Sequence, residues 1–197
     1  MRSALDGKDV NIIFTDARGI EKRLTSSGVN TEPSLSRDKS AVVFLHKPNE
    51  NVTEIWTIQT DGSALTLFYR GPFQWHGKSY PSSAIHFPQW ALDGRSVYFV
   101  TDFTLMTGAL WKLDMATRKV SPIIPEAVMC GVLQAGPHAG FLIANQRSLS
   151  NVDSDGQRYP GYPFFLFTAD GKRVQEVADE TGDDDMEGLL KEWEGRR

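Results

Sequence analysis

The feature that most constrains this chain is an internal copy. PQWALDGRSVYFV, Pro88 to Val100, repeats the pattern of PSLSRDKSAVVFL, Pro33 to Leu45. Each copy sets a proline and a bulky residue (Leu35 or Trp90) ahead of a polar turn centred on Asp38 or Asp93, then an alternating apolar run ending in Phe44 or Phe99. A strand, a tight turn and a second strand account for that pattern. The segment after each copy repeats too: EIWTIQTDGSALTLFY from Glu54 and ALWKLDMATRKVSPI from Ala109 each read as strand, turn, strand.

Setting Gly19 against Gly62 and Gly171 aligns NIIFTDARG with EIWTIQTDG and PFFLFTADG, so Ile13, Trp56 and Phe165 share one structural position, which Trp111 fills in the remaining copy. The intervals between them are 43, 55 and 54 residues. Periods of that size, with four short strands each, are the signature of β-propeller blades. The expected strands a to d are Pro33–Leu35, Ala41–His46, Glu54–Gln59 and Leu65–Tyr69 in the first full blade, and Pro88–Trp90, Ser96–Thr101, Ala109–Asp114 and Val120–Ile124 in the second. The third is expected near Gly131–Ala135, then at Gly140–Asn145, Pro163–Thr168 and Arg173–Val177. The fold class is therefore all-β: a partial propeller over 1–180, with a half-blade at 11–25 and blades at 33–69, 88–124 and 131–178. Residues 1 to 9 are polar and expected to fray. Alternation within the strands implies one apolar face per sheet, buried against the next blade.

The residues Pro88, Trp90, Asp93, Gly94, Arg95, Phe99, Trp111, Asp114, Thr117 and Lys119 carry a resemblance to the TolB-type, WD-related propeller repeat. The first copy keeps Pro33, Ser36, Asp38 and Trp56 but has Lys39 where the glycine is expected, and the third carries GPHAG in place of the aspartate turn. The resemblance implies four-stranded antiparallel blades over roughly 11–178. It leaves function to the site, because the same repeat serves binding proteins and enzymes. It also implies about six or more blades in a closed ring. Three and a half blades would leave apolar faces to be covered, either by a second copy in a homodimer or by further blades of a longer protein.

Composition narrows the partners. A net charge of −4 and a pI near 5.6 argue against nucleic acid, since neutralising phosphates needs a gathered basic surface. No apolar run is long enough for membrane insertion. The single cysteine, Cys130, excludes an internal disulfide and sits in the apolar context VMCGVL, as a buried thiol would. MRSALDGKDV has no apolar core of a signal peptide, and the compartment, cytoplasm or periplasm, is left open. Beyond the last blade, 181–197 pairs an acidic segment with an amphipathic helix, Met186, Leu189, Leu190 and Trp193 falling on one face. That helix can cap the last blade or dock a partner.

Strand order puts the b-to-c and d-to-a connections on one propeller face and the tight a-to-b and c-to-d turns on the other. The long connections, 47–53, 102–108, 146–162 and 70–87, all share the first face, where a binding surface is expected. Its anchors are Phe73, Trp75, His76, Tyr80, His86, Arg147, Arg158, Tyr159 and Tyr162, of the aromatic and arginine types that dominate hot spots. Asn151, Asp153 and Asp155 with Gly156 match the opening of a calcium loop, but Tyr162 stands where the bidentate glutamate belongs, so a solvated loop with no cofactor is the expectation and Ca2+ the alternative. His46, His76 and His86 on the same face form an alternative metal set. No nucleophile elbow, phosphate loop or zinc-protease motif is present. The sequence thus points to a non-enzymatic binder of a protein or peptide partner on the long-loop face or down the central channel. The alternatives are a metal-dependent polysaccharide lyase, a peptidase's propeller domain, or a self-assembling half-ring.

Overall fold

A computed structural model describes residues 1–75, 78–80, 85–104, 107–127, 130–152, 155–178 and 186–196. The first sheet holds β1 (Arg2–Asp6), β2 (Asp9–Thr15), β3 (Glu21–Arg23), β4 (Val29–Leu35), β5 (Ala41–Asn49), β6 (Val52–Gln59) and β7 (Thr66–Arg70). Its order is β1-β2-β4-β5-β6-β7, with β3 paired to β2. Strands β4 to β7 are the first full blade, and its register sets Phe44 directly across from Trp56. Val42, Phe44 and Ile58 meet Ile12 of β2 and Leu24, which follows β3, in one core, with Phe14, Leu35 and Trp56 packed at its margin. Each such side chain fully buried contributes about 1.5–3 kcal/mol.

The N-terminal residues, expected to fray, instead form β1, which pairs with β2 from Arg2↔Ile13 to Asp6↔Asp9. The signal is a two-residue turn at Gly7 and Lys8, where Gly7 takes a φ of 63° that a side chain would resist. Ion pairs from Arg2 to Glu21 (3.2 Å) and from Arg23 to Asp6 (2.8 Å) border the strand. The half-blade therefore has three strands. One edge of β2 is covered by β1, and β2 meets β4 in parallel at Val10↔Val29.

The second blade is β10 (Ile85–Trp90), β11 (Ser96–Thr104), β12 (Thr107–Asp114) and β13 (Val120–Pro125), in sequence order. Ahead of it, β8 (Phe73–Trp75) and β9 (Lys78–Tyr80) pair as a short hairpin. The third is β14 (Cys130–Val132), β15 (Leu142–Asn145), β18 (Phe164–Phe167) and β19 (Arg173–Ala178), and a second hairpin, β16 (Ser148–Val152) with β17 (Arg158–Gly161), is inserted between β15 and β18. The chain divides into two compact units, Met1–Phe99 with Leu113–Val120, and Val100–Lys112 with Ser121–Arg197.

The expected single apolar face per sheet needs correction for the central strands. Ala41–Leu45, Val97–Val100 and Phe164–Phe167 are buried at every consecutive position. Successive strand side chains point to opposite faces, so these strands are covered on both. The runs VVFL, VYFV and FFLF are continuous for that reason.

In the second unit, α1 (Met186–Gly195) lies against the third blade. Trp193 enters a core of Leu133, Ile143, Phe164 and Leu166, and Arg196 stacks on its outer side, 3.8 Å from the ring centroid. A Cβ on Gly131 would come within 2.7 Å of Leu190, and one on Gly136 within 2.8 Å of the Glu194 carbonyl. The helix thus covers the blade whose aspartate turn became GPHAG. No helix among the described residues is long and apolar enough to cross a membrane.

Candidate functional site

The tight turns consume their own polar groups. The Ser36 hydroxyl donates to Asp38 at 2.7 Å and Ser40 N–H adds a second bond at 3.0 Å, holding the Asp38 carboxyl below its ordinary range. The Ser63 hydroxyl lowers Asp61, the Thr168 hydroxyl lowers Asp170, and the Ile20 N–H, ahead of Arg18, lowers Asp16. These are local side-chain-to-backbone turns that fix the chain's reversals. A cavity of about 450 Å³ lies between the first two a-to-b turns. Its carboxylates are already spent, with Asp93 accepting from Arg95 N–H at 2.9 Å and Asp38 bonded as above.

Two of the four long connections are shorter than expected. The 47–53 segment extends β5 and β6 as far as Asn49↔Val52, leaving a two-residue turn capped by Asn49 Oδ1, which accepts from Asn51 N–H at 3.0 Å. Likewise β11 runs to Thr104 and β12 starts at Thr107. The other two connections carry the inserted hairpins. Phe73 does not stand on the surface: it is 1% exposed and packs on Tyr69 (5.2 Å between ring centroids) and Phe99 (5.6 Å), so it holds β8 to the core. Burial raises the pKa of Tyr69, whose hydroxyl donates to the Pro72 carbonyl at 2.9 Å. Trp75 and Tyr80 are placed in β8 and β9, and Arg158 and Tyr159 in β17. Arg147 and Tyr162 are half-buried, Arg147 N–H donating to the Glu126 carbonyl at 3.0 Å. His76 lies outside the described residues.

The metal readings divide in the same way. Asn151 sits in β16 opposite Tyr159, Asp155 is exposed at a turn beside Gly156, and Asp153 lies outside the described residues. His46 turns Nδ1 to Asn30 Oδ1 at 2.9 Å, whereas His86 faces Glu32 at 3.7 Å, so each imidazole has its own partner. Among the described residues no three His, Cys, Asp or Glu side chains gather around a common point. Burial raises the pKa of the Cys130 thiol and leaves it inert.

What the structure does bring together is a groove between β4 and β10. Glu32 and Phe87 each precede the repeat's proline, and each takes a left-handed φ, 50° and 53°. That conformation is costly for a residue with a side chain and is disfavoured again before proline. Phe87 N–H donates to the Glu32 carboxylate, which also faces His86, while the Phe87 ring is 42% exposed. Pro33, Ser34, Pro88 and Gln89 complete a groove of about 300 Å³. Of the sequence-predicted anchors whose side chains are described, His86 is beside it, facing Glu32. Glu32 and Phe87 were missed because residue type alone does not mark them; their shared place before Pro33 and Pro88 does.

Successive four-stranded antiparallel sheets, with the a-to-d order repeated, are β-propeller blades. Comparison with solved structures gives the type. TolB from Acinetobacter baumannii superposes with a TM-score of 0.59 at 15% identity, over 92% of this chain and 41% of that one. The β-propeller domain of the trilobed protease from Pyrococcus furiosus gives 0.57 at 13% identity over 87% and 49%, and an oligogalacturonate lyase in complex with manganese gives 0.53 at 16% over 91% and 45%. The fold is that of the TolB-type propellers, and the chain spans about half the length of the solved propellers it matches. No family model and no curated protein matches the sequence.

Proposed function

We propose that this chain is a non-enzymatic binding module that takes a protein or peptide segment along β4 and β10. The observation that supports this best is the groove where the Glu32 carboxylate, the exposed Phe87 ring and two prolines meet. A lysine or arginine of the partner would lay its alkyl stem on Phe87 and bring its charge to Glu32. β10 is the outer strand of its sheet, but Pro88 has no N–H to continue a ladder, so side chains rather than strand addition would carry recognition. Trp75 and Tyr80, on the hairpin of the same unit, are proposed as further contacts, and Arg158, Tyr159 and Tyr162 as contacts that the second unit offers on its own. The protease and lyase among the structural neighbours share the fold at identities that transfer no activity.

The test is an array of extended hexapeptides carrying Lys or Arg at each position in turn, probed with the full chain. Retention that depends on the cation and falls about tenfold in Glu32→Gln is expected, one charged hydrogen bond being worth that much. Equal retention by Glu32→Gln, or none by any peptide, would contradict it. A second reading is a ring completed by a second copy, which would cover the apolar faces that three and a half blades leave, as further blades of the same chain would equally. Light scattering after size exclusion should then show a species near twice 22.0 kDa; a monomer at all concentrations would dismiss it.

A further inference from the structure

The first blade departs from its own repeat at two adjoining positions. In the second blade Thr101 accepts the Trp111 indole N–H at 2.7 Å, and Ala109 stands two residues before that tryptophan. In the first blade the matching residues are His46 and Glu54. Trp56 therefore donates instead to Glu54 at 2.6 Å, a carboxylate that is 1% exposed and also bonded by Arg70. His46 meets Trp56 edge to face at 5.5 Å. A buried carboxylate costs several kcal/mol unless fully partnered, so packing alone gives no reason to exchange alanine and threonine for this pair.

Beside them opens a cavity of about 260 Å³ with Trp56, Phe44, Leu24, His46 and the hydroxyls of Ser26 and Ser27 in its lining. Its polar character is defined by what is already spent. Asn30 Nδ2 donates to the carbonyls of Val10 (2.9 Å), Ser27 (2.9 Å) and Gly28 (3.3 Å), which leaves Asn30 Oδ1 as an acceptor. The Nδ1 of His46 must then carry the proton in that bond, and in the neutral ring Nε2 is a bare acceptor with no partner among the described residues. Gly28 permits this placement, since a Cβ there would lie 2.6 Å from His46 Cε1. Thr25 is occupied, accepting from Ile12 N–H at 2.9 Å and donating to Asn11 at 3.2 Å. With its N–H held by Glu54, Trp56 offers apolar ring surface alone.

We propose that this cavity binds a neutral, monosaccharide-sized polyol, its apolar face against Trp56 and one hydroxyl donating to His46 Nε2. Among the described residues no Asp, Glu, Lys or Arg lines the cavity, which argues for an uncharged ligand as the fitting occupant. An apolar wall with a few placed polar groups is the usual construction of small-molecule sites. Ser26 and Ser27, exposed at the mouth, supply hydroxyls that both donate and accept. The cavity and the Glu32 groove are lined by different residues, so the two proposals fail independently.

The test tracks the indole N–H signals of the five tryptophans in the full chain, with Trp56 assigned through Trp56→Phe. D-glucose, D-galactose and N-acetyl-D-glucosamine are titrated separately. At least one is expected to move the Trp56 signal saturably while Trp111 stays fixed. His46→Thr, which installs the second blade's residue, should weaken that binding about tenfold or more. If His46→Thr disturbs the Trp111 signal, Ser27→Leu at the exposed mouth serves instead and should weaken binding by obstruction. No saturable shift with any sugar, equal shifts in both variants, or saturation by indole alone would overturn the assignment.

Discussion

Trp56 and Trp111 occupy one position in successive repeats, yet they are used differently. Trp111 is 1% exposed, its N–H satisfied by the neighbouring strand's Thr101, and nothing is left for a ligand. Trp56 is half-buried, its N–H drawn aside by a buried Glu54, and its ring lines a cavity with His46. The contrast teaches that a repeat position fixes where a side chain stands but not whether that place is closed. Closure depends on the two residues flanking it, threonine and alanine in one blade, histidine and glutamate in the other.

The sharpest way to break the comparison is truncation at both tryptophans. Trp111→Ala should cost about 3–5 kcal/mol in denaturant unfolding, as for a fully enclosed aromatic, and Trp56→Ala measurably less when made in a Glu54→Ala background, where no buried carboxylate loses its indole partner and part of the ring already faces a cavity. Equal losses would mean that the two sites are equally packed. A smaller effect concerns the turns ahead of them. Lys39 holds a φ of 60° where the second repeat has Gly94 at 68°. Lys39→Gly should therefore stabilise the chain by about 1 kcal/mol, and Gly94→Lys destabilise it by about as much, read as opposite shifts of the unfolding midpoint.

The smallest effect is on acid stability. The Asp38 carboxyl titrates below its ordinary value of 3.8 in the folded chain, Ser36 being the main cause. Its contribution is fully present above that ordinary value and is lost as pH falls through the lowered one. Asp38→Ala should consequently flatten the acid limb of a stability-against-pH curve below about pH 4, with little change near neutrality in the shape of the curve. An unchanged acid limb would show that the Ser36 bond does not persist in solution.

Much of the fold was legible because the repeat writes its own punctuation. The Pro33 and Pro88 starts, the Asp38 and Asp93 turns and the Trp56 and Trp111 spacing located the strands to within a few residues. Strand β1 escaped because RSALD has no apolar alternation and is held by the Gly7 turn and by ion pairs with Glu21 and Arg23. The hairpins β8–β9 and β16–β17 read as loops, since strands of three to five residues are too short to show a period. The site was less legible. Phe73 has the composition of a binding anchor, but ring contacts with Tyr69 and Phe99 make it core, and no local rule distinguishes the two. Glu32, Glu54 and His46 gain meaning only when the repeats are laid over each other and their departures are compared.

The central claim, that the first blade's tryptophan is open where the second's is closed, is tested most directly by a soluble paramagnetic agent added to the full chain. Relaxation of the ring protons of Trp56 should be clearly enhanced, and those of Trp111 should be protected. Equal protection of both rings would contradict the account, because a cavity closed to a small solute in solution could not receive a ligand.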